Sequence, residues 1–121
     1  MGKTLEYYFN SCQGSFSEKT SIQIGLQLLE KIEAVHECGY LFNDLKPDNI
    51  LVGTHDDQNL DNIRLIDFGI SNSYLDGDGN HIEEGREFNF SGNFIFASVN
   101  AFQFKRLSRR DDILSLCFLL V

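Results

Sequence analysis

The chain has 121 residues and a formal net charge of −8, with 10 Lys and Arg against 18 Asp and Glu, so it has room for one small domain with a modest core. That acidity argues against nucleic acid and anionic membrane surfaces as partners, because both require clustered cations. No apolar run approaches the roughly 18 residues of a membrane span, and no basic-then-apolar leader opens the chain, so no membrane association is expected and the expected location is cytoplasm or nucleus.

Leu5, Tyr7, Tyr8 and Phe9 form an apolar cluster that fits one or two helical turns, closed by the turn-prone Gln13-Gly14-Ser15. Ser17, three residues before Thr20 and followed by Glu18, predicts a helix start. From Thr20 to Cys38 the residues Ile22, Leu26, Leu29, Ile32 and Ala34 or Val35 recur at helical spacing, which predicts an amphipathic helix with these on its apolar face, ended by Gly39. His36, near that end, reads as a packing or capping residue. Tyr40 to Phe42, Ile50 to Val52 and Ile63 to Ile66 predict short strands.

Thr54 to Asn62 is polar and holds three Asp and a His, but it lacks the spacing and the glycine of a calcium loop and reads as a solvated hairpin. Asp76-Gly77-Asp78-Gly79-Asn80 reads as a second turn. Six of the eleven phenylalanines stand at 88, 90, 94, 96, 102 and 104. They are expected to anchor an irregular segment to the core rather than to stack on bases, since cationic neighbours are lacking. Lys105-Arg106 and Arg109-Arg110, followed at once by Asp111-Asp112, read as a salt-bridged face, and Ile113 to Val121 as an apolar helix. The cysteines, at 12, 38 and 117, are odd in number and lack metal-ligand spacing, so reduced, packed thiols are expected.

The stretch that carries chemistry is Asn43-Asp44-Leu45-Lys46-Pro47-Asp48-Asn49-Ile50-Leu51-Val52-Gly53, followed after the polar loop by Leu65-Ile66-Asp67-Phe68-Gly69. Either piece alone would read as a solvated turn or a helix cap. Together, in this order and spacing, they resemble the catalytic loop and the magnesium loop of protein kinases. Phosphoryl transfer needs a carboxylate that orients a hydroxyl and accepts its proton, and hard oxygen ligands for Mg²⁺. Asp44 suits the first role; the amide oxygen of Asn49 and the carboxylate of Asp67 suit the second. Lys46 can meet a phosphoryl group as a point charge, and Gly69 lets the chain turn after Asp67. A Lys at this position of the kinase superfamily goes with Ser/Thr specificity, so the resemblance implies a Ser or Thr acceptor.

Ala97-Ser98-Val99-Asn100 and Ser108-Arg109-Arg110-Asp111-Asp112 narrow the resemblance to casein kinase 1, which carries A-S-I-N at the end of its activation segment and S-R-R-D-D at the start of the next long helix. Leu5 to Phe9 and Phe16 to Thr20 resemble the family's helices after the hinge, so the likeness spans residues 2 to 121. It implies an α+β, mainly helical, protein-kinase-like fold. Residues 1–121 would be a partial C-lobe with short β-hairpins around the catalytic loop: hinge-proximal helices, catalytic loop, D-F-G, activation segment and the start of the following helix. It implies ATP and Mg²⁺ as cofactors and proteins as substrates. Asp44 would be the base, Lys46 the phosphoryl contact, Asn49 and Asp67 the Mg²⁺ ligands, Leu51 the residue beneath the adenine, and Asp112 the brace of the catalytic-loop backbone.

The departures from the family pattern are also specific. Phe42-Asn43 stands in place of His-Arg, and Asn43 cannot pair with a phosphorylated activation loop. Ile95 replaces an Arg that helps bind acidic or phosphorylated substrate, and Phe88 stands near a family Lys, which argues against that substrate preference. Asn93 replaces a Thr, and Cys117 a Gly. Residues 1–121 contain neither G-x-G-x-x-G nor V-A-I-K, so the N-lobe and the end of the C-lobe are expected to be absent from them. The leading expectation is a fragment of a casein kinase 1-like Ser/Thr kinase, inactive as 121 residues, whose full-length parent transfers phosphoryl from ATP-Mg²⁺. The alternative is a non-catalytic pseudokinase remnant that serves as a protein-interaction module. In either case apolar surface at the upper face and the final helix would invite association.

Overall fold

The computed structural model describes residues 2–53, 62–87 and 89–121. The predicted polar hairpin at 54–62 lies almost wholly outside the described residues, as does Phe88. A two-residue strand β1 (Lys3–Thr4) runs directly into α1 (Leu5–Ser11), capped where Tyr7 N donates to Thr4 Oγ1 at 3.2 Å. Gln13 and Gly14, with φ of 60° and 75°, then reverse the chain. Helix α2 (Glu18–Glu37) starts at the expected cap, Ser17, whose Oγ accepts from Thr20 N at 3.2 Å. It ends at Gly39, whose φ of 84° is the left-handed closure a glycine adopts without Cβ strain.

The helix is the predicted one, and its predicted apolar face is buried only in its second half, where Ile32 lies in the core and Val35 packs against it. Gly25, Leu28, Ile32 and His36 point inward, whereas Ile22, Leu26 and Leu29 are 62%, 59% and 44% exposed. Gly25 faces the last helix, α4 (Arg109–Leu120), where a Cβ would sit 2.8 Å from Leu120 Cδ1.

After α2 come β2 (Tyr40–Leu41), a single 3₁₀ turn (Pro47–Asn49), β3 (Ile50–Val52), β4 (Ile63–Leu65), β5 (Asn72–Ser73) and the short helix α3 (Val99–Phe102). Strands β1, β3 and β4 form an antiparallel sheet in the order β1-β3-β4, with Thr4 opposite Leu51 and Ile50 opposite Leu65. Strand β5, which no hydrophobic pattern announced, pairs with β2, placing Asn72 opposite Leu41 and Ser73 opposite Tyr40. The two sheets therefore leave residues 42–49 suspended between them. Beneath that loop lies the core of Leu5, Leu28, Ile32, Phe42, Leu45, Ile50, Ile63 and Leu116, each fully buried side chain contributing about 1.5–3 kcal/mol.

Two further expectations need correction. Phe90, Phe94 and Phe102 pack on one another rather than on the core, with the Phe90 and Phe94 rings stacked at 4.5 Å and Phe94 74% exposed. All three cysteines are exposed free thiols rather than packed ones. The turn at 76–80 is as expected, with Asp76 Oδ1 accepting from Asp78 N at 2.9 Å and Asn80 N at 2.8 Å. Two of the four basic residues at 105–110 are ion-paired as expected, Arg106 with Glu87 at 2.9 Å and Arg110 with Asp111 at 3.8 Å, while Arg109 lies over the Tyr74 ring.

Candidate active site

The loop from Phe42 to Asn49 is held from below by one carboxylate. Asp112, in the first turn of α4 and 2% exposed, accepts from Phe42 N at 2.9 Å and Asn43 N at 2.8 Å. His36 Nε2 lies 2.8 Å from the same Asp112 Oδ2. A buried carboxylate is tolerated only with such partners, and here they are the backbone of the loop and the end of α2. His36 is fixed in turn by Tyr74, whose hydroxyl donates to His36 O at 2.6 Å. It is a packed residue with a defined task, the support of Asp112.

Asp111, beside it, does comparable work that sequence reasoning missed. Its Oδ1 accepts from Ser98 Oγ at 2.6 Å and Asn100 Nδ2 at 2.8 Å, while Oδ2 accepts from Ser108 N at 2.8 Å. The polar residues of Ala97-Ser98-Val99-Asn100 are thus the donors that satisfy a buried charge at the start of α4.

Above this base stands Asp44, also buried. Lys46 Nζ and Asn49 Nδ2 both donate to its Oδ2, each at 2.8 Å, and Asn49 Nδ2 also reaches Asp44 O at 3.0 Å. Both side-chain bonds fall on Oδ2, so among the described residues Oδ1 is the Asp44 oxygen left to accept from an incoming group. Pro47 begins the 3₁₀ turn that brings Asn49 back over Asp44, with Asn49 N donating to Lys46 O at 3.0 Å. The hydrogen bond to Asp44 holds the Lys46 ammonium above its ordinary pKa of 10.5, against the opposing effect of burial, with the charges of Asp44, Asp67 and Asp48 adding to it.

Asp67 follows β4 in the left-handed region, φ 62°, and its Oδ1 accepts from Gly69 N at 3.1 Å. Its neighbour Ile66 donates its N–H to Asn49 O at 3.0 Å, which joins the Asp67 turn to the Asn49 turn. Phe68 packs edge-on against Phe42 at 5.1 Å. Leu51 lies on β3 between Thr4 and Arg64, half-buried and two residues beyond Asn49. Hydrogen bonds and strand pairing thus link Asp44, Lys46, Asn49 and the Asp67 turn into one cluster with Asp112 below.

That cluster has the donor chemistry Mg²⁺ requires: one amide oxygen, on Asn49, and one carboxylate, on Asp67, the remaining positions being suited to water and phosphate oxygens. Among the described residues no group of three or more His, Cys, Asp or Glu could hold a metal ion.

A family model for the protein kinase domain matches residues 1–120. The chain belongs to the protein kinase family. Casein kinase I homolog 1 of Saccharomyces cerevisiae is 36% identical to this chain over 114 residues, which are 93% of this chain and 21% of the yeast protein. A probable casein kinase I homolog of Encephalitozoon cuniculi is 41% identical over 106 residues, 88% of this chain and 32% of that protein. The likeness expected from A-S-V-N and S-R-R-D-D is therefore found, and the chain spans between a fifth and a third of the length of these relatives. Among the described residues no helix is long and apolar enough to cross a membrane.

Proposed function

We propose that these residues are the catalytic-loop and activation-segment part of a kinase C-lobe, and that the whole protein transfers the terminal phosphoryl group of ATP to Ser or Thr of protein substrates in the cytoplasm or nucleus. The observation that carries this reading is the division of labour on Asp44: Lys46 and Asn49 hold one carboxylate oxygen, and among the described residues the other is left to receive a hydroxyl proton. In this reading Asp44 orients the acceptor hydroxyl and takes its proton as the oxygen attacks phosphorus. Lys46, kept charged by Asp44, offsets negative charge on the transferred group. Asn49 and Asp67 would hold Mg²⁺, which would supply positive charge to offset that of the phosphates. Leu51 would form part of the surface beneath the adenine.

The glycine-rich loop and strand lysine of a complete nucleotide cradle are not in residues 1–121, so the 121-residue chain by itself is expected to be inactive. The exposed Phe94, Ile95, Val99 and Phe102 favour a second reading, a non-catalytic module that binds proteins through this apolar surface. Phosphoryl transfer from ATP to a mixed Ser/Thr protein acceptor, measured on the complete gene product, separates the two. The enzyme reading expects transfer that Asp44→Asn lowers by about 10²–10⁴-fold; the module reading expects none in either protein.

A further inference from the structure

Asn43 lies between buried Phe42 and the candidate base Asp44, and it is the only one of residues 42–49 with a left-handed backbone, φ 65°. Its amide nitrogen donates to two acceptors on the chain beyond Gly69: Ile70 O at 3.1 Å and Asn72 Oδ1 at 2.8 Å. Alongside, Ser71 Oγ donates to Phe42 O at 3.1 Å, and Asn72 pairs with Leu41. On the other side of the turn, Ile66 N is bound to Asn49 O at 3.0 Å. The Asp67-Phe68-Gly69 turn is therefore an exposed hoop with both feet on the catalytic loop, one at Asn49 and one at Asn43. Because Asp67 itself occupies the left-handed region, its conformation depends on those feet being held.

We propose that Asn43 is a positioning residue whose side-chain amide latches the downstream foot of this hoop and so sets where the Asp67 carboxylate stands, with no phosphorylated residue required. The inference rests on the reading of Asp67 as a Mg²⁺ ligand. Both acceptors are neutral oxygens, so the latch needs a donor. Asp in place of Asn43 would set an acceptor against two acceptors, at nearly unchanged shape. Gly would keep the left-handed backbone and delete only the latch. An internal amide also makes the joint independent of any modifying enzyme, unlike a latch made by an Arg and a phosphate.

The test uses the complete gene product, in wild-type form and as Asn43→Asp, Asn43→Gly and Asn72→Ala. Amide hydrogen exchange should quicken about tenfold or more across residues 69–74 in both Asn43 variants, the loss of hydrogen bonds to buried partners being of that order. It should quicken less in Asn72→Ala, where the bond to Ile70 O survives, and stay unchanged in β3 and β4. The half-saturating Mg²⁺ concentration for phosphoryl transfer should rise several-fold in the Asn43 variants, while kcat at saturating Mg²⁺ stays within about twofold of wild type; a merely less stable protein would lose activity equally at every Mg²⁺ concentration. Unchanged exchange at 69–74 in Asn43→Gly overturns the latch. Faster exchange with an unchanged Mg²⁺ midpoint overturns the positioning of Asp67. Faster exchange in a wild-type background that transfers no phosphoryl group upholds the latch and overturns the kinase reading instead.

Discussion

Residues 42–49 and residues 90–104 lie in contact, as the placement of Gly92 against Asn43 O shows, yet they invert the usual distribution of polarity in opposite senses. A Cβ on Gly92 would come within 3.1 Å of that carbonyl. The first region buries its polar groups: Asn43, Asp44 and Asn49 are all nine-tenths or more removed from solvent, over Asp111, Asp112 and His36. The second exposes its apolar ones, from Phe94 and Ile95 to Val99, Phe102 and Phe104. Burying charge costs free energy unless every lone pair is met, and leaving aromatics in water forgoes what their burial would contribute. The first region meets that cost with hydrogen bonds, whereas the second leaves its aromatics in water; under the proposed reading the one is the chemical site and the other a surface for contact.

The largest break in this comparison should come from Asp112→Ala. It leaves two backbone N–H groups and the His36 ring without their acceptor, and should lower unfolding stability by about 3–5 kcal/mol, read as a shift in denaturation midpoint. That is a large share of the total for a domain of this size. Ser98→Ala removes one of the donors to buried Asp111 and should cost about 1–3 kcal/mol by the same measurement. In the contrasting region, Phe94→Ser and Ile95→Ser should change stability by no more than about 0.5 kcal/mol, because both side chains are more than 70% exposed; a larger loss would mean that the surface belongs to the core after all.

The smallest effect concerns pH. Lys46 has a folded-state pKa above its ordinary 10.5, so its contribution is fully present below that value and is lost as pH rises through the raised one. Wild type should therefore lose slightly more stability than Lys46→Met between pH 10 and the alkaline limit of folding, a difference readable in paired thermal melts.

Legibility in the sequence followed the range of the interactions. The caps at Ser17 and Gly39, the turn at Asp76 and the spacing of Asp44, Lys46 and Asn49 are local, and each could be read from neighbouring residues. The brace by Asp112 was legible only through the family resemblance, since its partners are about 70 positions away. The task of His36 has no local signal, because its partner is 76 residues distant. On α2 the apolar count finds Ile32 and Val35 but also takes the exposed Ile22, Leu26 and Leu29 as inward, because which stripe is buried is set by helices far along the chain, such as the one that brings Leu120 to Gly25. Asn43 was legible as a departure from the kinase pattern, but its new partners, Ile70 and Asn72, became visible only once β5 was seen beside β2.

The proposed role of Asp44 as the base of a phosphoryl transfer is tested most directly by transfer of the ATP terminal phosphate to protein Ser/Thr by the complete gene product, wild type beside Asp44→Asn. Measurable transfer in the wild type, reduced by about 10²–10⁴-fold in the variant with its folding intact, is the predicted result. Equal transfer by the two proteins, or none by a folded wild type with Mg²⁺ and ATP supplied, would contradict it.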